Sequence, residues 1–84
     1  MYIFAKTLTG KEFIYSSKTA VLCKNREQAQ QVADFLNSHN DGNQGDFKLK
    51  DGEHFNVYEI DKYDKQPLYR LKSTKNSIKI CYNV

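Results

Sequence analysis

Proline occurs once, glycine four times and tryptophan not at all in these 84 residues. So little Pro and Gly excludes collagen-like and low-complexity architectures, which need one or both in quantity. Cysteine is equally scarce. Cys23 and Cys81 lie far apart in strand-like surroundings, with neither the density of a disulfide scaffold nor the short paired spacing of a metal motif. No apolar run approaches the roughly 18 residues needed to cross a membrane, and no basic region followed by an apolar stretch opens the chain. Reduced thiols, a cytoplasmic location and no membrane partner are expected.

Catalytic signatures are missing too. The two histidines, His39 and His54, stand in no triad-like spacing. The set Cys23, His39, His54 and Cys81 lacks the close pairs that zinc sites use. "DGNQGD" has two glycines but no Gly-Lys-Ser/Thr continuation, so a phosphate loop is unsupported. Asp51, Glu53, Glu59, Asp61 and Asp64 are dense, but turn placement and alternation make them a solvated surface. The expectation is a binding protein rather than an enzyme, with no cofactor and no metal.

One more absence is local: residues 65–84 contain no acid. That stretch holds Lys65, Arg70, Lys72, Lys75 and Lys79. Residues 1–24 carry four lysines against one glutamate, while residues 25–64 carry nine acids against four bases. The ends are basic and the middle is acidic, a dipolar layout that bears on partners more than the net charge of +3 does. A chain of this length makes one domain, residues 1–84, and buries roughly 60–65% of its unfolded surface around one core.

Periodicity gives the elements. "MYIFAKTLTGKEFIY" reads as a hairpin turning through Leu8, Thr9 and Gly10, which pairs Ile3 with Tyr15 and Ala5 with Phe13. Tyr2, Phe4 and Ile14 then share the other face, with Lys6 opposite Glu12. Strand-like residues continue through "SSKTAVLCK". "NREQAQQVADFLNSHN" next places Ala29, Val32, Ala33 and Leu36 at helical spacing, with Asn25 as N-cap and Gln28 to complete a capping box. His39 stands ready to cap carbonyls at the helix end. Around "LKDGE", a three-residue loop 50–52 pairs Leu49 with Glu53 and Phe47 with Phe55. "HFNVYEIDKY" runs as a strand, "DKQ" turns, "PLYRLKS" returns, and "SIKICYNV" alternates as a half-buried strand. The fold class is α+β, order β-β-α-β-β-β with room for one more strand: a mostly antiparallel sheet with one helix packed across it.

The first eleven residues resemble ubiquitin, M-Q-I-F-V-K-T-L-T-G-K, differing only at Tyr2 and Ala5. A weaker echo spans residues 49–62, where Leu49, Asp51, Gly52, Tyr58, Ile60 and Lys62 match. The resemblance implies a β-grasp-like arrangement and a protein-interaction module. It does not extend to conjugation chemistry: the chain ends "SIKICYNV" without an Arg-Gly-Gly tail, and "NDGNQGDFK" replaces an apolar recognition strand. In brevity and Asn/Lys-rich style the chain is also similar to the small accessory proteins of T-even-type phages, several of which inhibit host defence factors such as RNase toxins.

Two surfaces follow. Lys65, Tyr69, Arg70, Lys72, Lys75 and Lys79 interleave cations with an aromatic ring, suited to an acidic protein surface or to RNA. Alternation puts Arg70 and Lys72 on the face opposite Tyr69 and Leu71, and lysines on edge strands also serve to deter edge pairing. Tyr2, Phe4, Lys6, Leu8, Lys11 and Ile14 form the second, an apolar hairpin face that binds a protein or a second copy unless it is covered. The leading expectation is a phage-type inhibitor of a host factor using the basic C-terminal strands. The alternative is a ubiquitin-like module using the first hairpin.

Overall fold

A computed structural model of the chain describes residues 1–7, 19–60 and 67–82. Tyr2–Thr7 forms β1, Val21–Cys23 β2, Arg26–Ser38 the helix α1, His54–Glu59 β3, Tyr69–Ser73 β4 and Ile78–Tyr82 β5. Two 3-10 turns, Asn40–Gly42 and Gly45–Phe47, join α1 to β3. The strands lie in the order β3-β1-β2-β4-β5, antiparallel except for β2 against β4. One helix on a five-stranded mixed sheet is the α+β class expected.

β1 is apolar on both faces, which suits the buried centre of a sheet. Its even residues point toward the helix, where Phe4, Val21, Cys23, Ala29, Ala33, Leu36 and Phe55 make the main core. Its odd residues point the other way, where Ile3 and Ala5 pack with Ala20 and Ile60. Phe4 is wholly buried and meets Phe55 edge-on at 5.9 Å. Burying a side chain of that size contributes roughly 1.5–3 kcal/mol.

The helix starts as its sequence dictates. Asn25 Oδ1 accepts from the backbone N–H of Glu27 (2.8 Å) and Gln28 (3.2 Å). The cap is one-sided: no capping box with the Gln28 side chain is seen among the described residues, and Gln28 Nε2 donates to Ser73 Oγ at 3.3 Å. At the other end His39 Nδ1 meets the Phe35 carbonyl at 3.1 Å, the expected carbonyl cap.

Three expected registers are corrected. β1 pairs antiparallel with β2, and Ile3 lies between Leu22 and Tyr58 rather than beside the expected Tyr15; Phe13 and Tyr15 themselves lie outside the described residues. The observed register puts Val21 beside Phe4 and Cys23 beside Tyr2, on the helix side of the sheet. The turn itself, residues 8–10, and the Lys6–Glu12 pair lie partly or wholly outside the described residues. Around "LKDGE" no hairpin forms. Residues 50–53 make a tight turn closed by Glu53 N–H on the Lys50 carbonyl (3.0 Å), with Gly52 at φ 84° as position three of a type II turn requires. Leu49 is then paired by the Asn40 side chain, whose amide accepts at 2.7 Å and donates at 3.0 Å. Finally, β4 does not return beside β3. It crosses the sheet to lie parallel to β2.

Candidate binding surface

The β4–β5 hairpin is built on strict alternation. Tyr69, Leu71 and Ile80 pack against the helix-side core, and Tyr69 stacks on Tyr82 at 5.4 Å. Arg70, Lys72 and Lys79 therefore project from the opposite face. The register sets Lys72 directly across from Lys79 and Arg70 across from Cys81. Like charges directly opposite each other destabilise a sheet. Nothing in the hairpin relieves this pair: residues 67–82 hold no acid, and none of Arg70, Lys72, Lys75 or Lys79 forms an ion pair among the described residues. All four are exposed, Lys75 at the hairpin tip. The arrangement can attract an anionic partner.

Tyr69 belongs to the helix side. Partial desolvation pushes its phenol up first, and the neighbouring Tyr82 and Asp46 push it further. Arg70, Lys72 and Lys79 therefore lie on the face opposite Tyr69 and Tyr82, as alternation implies, whereas Lys75 at the hairpin tip lines the same groove as Phe35. Lys65 lies outside the described residues.

The first-hairpin surface fares differently. Phe4 sits in the main core under the helix, not on an outer face, and is unavailable to a partner without unfolding. Tyr2 is half-buried against the same core. Lys6 is occupied inside the molecule: its ammonium donates to the carbonyls of Asp46 (2.6 Å) and Lys48 (3.3 Å) and lies 3.9 Å from the Glu53 carboxylate. It straps the 45–53 segment to β1. Leu8, Lys11 and Ile14 lie outside the described residues.

Sequence reasoning missed a groove beside the hairpin, with Val32, Phe35 and Ile78 among polar and charged residues that include Asp34 and Lys75. Val32, Phe35 and Ser38 of α1 face residues 73–78 across an open groove of about 770 Å³. Phe35 is 58% exposed and lies flat on the His39 ring at 4.2 Å. The signal was present: Phe35 falls one residue, or about 100° of helix, off the buried stripe through Ala29, Ala33 and Leu36.

Among the described residues no group of three His, Cys, Asp or Glu side chains is placed to hold a metal ion. No described helix is long and apolar enough to cross a membrane. Neither a family model, nor a curated protein, nor a solved structure matches this chain.

Proposed function

We propose that this chain is a small non-enzymatic binding protein whose basic β4–β5 face docks on an acidic surface of another protein. The observation that carries the reading is the unrelieved Lys72–Lys79 pair, with Arg70 beside it and no acid in the hairpin. A like-charge pair held across a sheet is a standing cost, and a carboxylate-bearing partner removes it. The separation of Arg70, Lys72 and Lys79 from the Tyr69–Tyr82 stack favours a protein partner over RNA, whose recognition combines phosphate neutralisation with base stacking. Similarity in style to T-even-type phage accessory proteins supports a host defence factor, such as an RNase toxin, as the class of target. The role is then occlusion of that factor.

The test is capture of partners from bacterial lysate by the wild type and by the Arg70→Glu/Lys72→Glu variant, each with and without RNase. A complex that survives RNase, weakens in high salt and disappears in the variant supports the reading. A complex retained by the folded variant would sink it. One that vanishes on RNase treatment would move the partner to RNA.

A further inference from the structure

The two edges of the sheet are not equivalent. In β3 the exchange of hydrogen bonds between Met1 and Ile60 sets the phase of the ladder, so the backbone N–H and C=O of Phe55 point away from β1. The Asn37 side chain covers them, accepting from Phe55 N–H at 2.7 Å and donating to its carbonyl at 3.0 Å. The same phase points the backbone groups of Val57 and Glu59 outward, so the β3 edge is covered at Phe55 alone; among the described residues β5 has no such cover at any position. The Thr74 N–H to Ser77 carbonyl bond (2.8 Å) fixes that hairpin's phase, so 72–79 and 70–81 are the bonded pairs. The backbone groups of Ile78, Ile80 and Tyr82 consequently point outward, and β4 is the sole neighbour of β5 among the described strands.

We infer that β5 accepts an added antiparallel strand from the partner, an extended segment alternating apolar and acidic residues. Three features select that occupant. The outward backbone groups at 78, 80 and 82 have the spacing of an unfilled ladder, which only extended backbone can satisfy. Side chains of the added strand opposite Ile78, Ile80 and Tyr82 fall on the helix side, where Tyr82 is 71% exposed and the Phe35 groove opens beside Ile78. The intervening side chains fall on the other face, next to Lys79 and one strand from Arg70 and Lys72. Carboxylates there relieve the like-charge pair.

Charge also argues against a second copy of this chain. Antiparallel self-pairing about Ile80 would set rows of Lys72, Lys79 and the partner copy's Cys81 and Arg70 across one face, with no acid between them. The proposal rests on the anionic-partner reading above and adds the mode of contact.

The experiment uses the whole chain and a capped peptide, Glu-Val-Glu-Val-Glu-Val-Glu. A block peptide of identical composition, Glu-Glu-Glu-Glu-Val-Val-Val, serves as the control. Binding is read by fluorescence anisotropy, and amide exchange is followed by NMR. The expected result is at least about tenfold tighter binding of the alternating peptide. The amides of Ile78, Ile80 and Tyr82 should gain protection on binding, whereas those of Lys79 and Cys81, already bonded within the hairpin, should change little. Tyr82→Pro and Ile80→Pro each remove an outward donor without touching the β4–β5 ladder. Each should weaken the alternating peptide about tenfold with the charges intact. Tyr82 is the more exposed of the two, so its variant preserves the test if the other fails to fold.

Equal binding of both peptides, lost in Arg70→Glu/Lys72→Glu but kept in Tyr82→Pro, overturns strand addition and leaves the basic-face reading standing. No binding of either peptide overturns both. Concentration-dependent dimers that Tyr82→Pro abolishes and the peptide cannot disrupt overturn the inference in favour of self-pairing.

Discussion

Cys23 and Cys81 sit in similar-looking strands and have opposite chemistry. Cys23 is 1% exposed, its thiol donating toward the Val21 carbonyl, and burial pushes it up to about 12 from a usual value near 9. At pH 8 roughly one molecule in ten thousand would carry that thiolate, the form that reacts with alkylating reagents. Cys81 lies on the partly exposed face of β5, across from Arg70. Under native conditions iodoacetamide should therefore modify one equivalent quickly at Cys81, and Cys23 only as fast as the chain unfolds. Raising the pH from 7 to 9 should not close that gap, because the raised value at Cys23 keeps its thiol protonated across the whole window. Mass spectrometry of the labelled peptides reads this directly. Equal labelling of both thiols would mean that the main core is open.

Asparagine side chains finish the sheet where the strand ladder stops. Asn37 on α1 pairs both backbone groups of Phe55, and Asn40 does the same for Leu49. Asn37→Ala should expose an unpaired donor and acceptor at the edge of β3 and cost about 1–3 kcal/mol. Its mark would be a lowered melting temperature with faster exchange of the Phe55 amide, and unchanged exchange at that amide would show the clamp to be incidental. The same residues explain what the sequence left illegible. Helix limits, the Asn25 cap and the alternation of β3, β4 and β5 follow from local period and are readable without coordinates. Pairing "LKDGE" as a hairpin failed because one Asn side chain, nine residues back, supplied the bonds that a strand would have made. The first hairpin's register failed for a related reason: β1 is apolar on both faces, so one-face patterning could not choose between pairing schemes. The crossover of β4 to β2 leaves no local trace at all.

Taken whole, the molecule sets a stable half against a poised one. Helix α1 closes over β3, β1 and β2, while the β4–β5 hairpin extends past it with a groove on one face and unopposed cations on the other. The basic character of that half was legible in residues 65–84 as a simple run without acids. The groove was not, because it depends on where the helix ends relative to a crossover strand. Phe4 was misread for the same reason, since only the fold shows that the helix covers it. A poised surface has a thermodynamic signature that an ordinary solvated one lacks. Lys72→Glu replaces a like-charge pair with an opposite-charge pair across Lys79, a change that in antiparallel sheets is worth roughly 0.2–1 kcal/mol. In a domain of this size that is up to a few degrees of melting temperature. The variant should thus melt higher than the wild type at low salt, with the gain shrinking in about 1 M salt where the screening length falls to about 3 Å. It should at the same time lose the partner. Stability gained where binding is lost would mark Lys72 as retained for contact rather than for the fold. A variant that melts lower, or that melts higher and still binds, would mean that the two lysines splay into solvent without strain and that the anionic partner docks elsewhere.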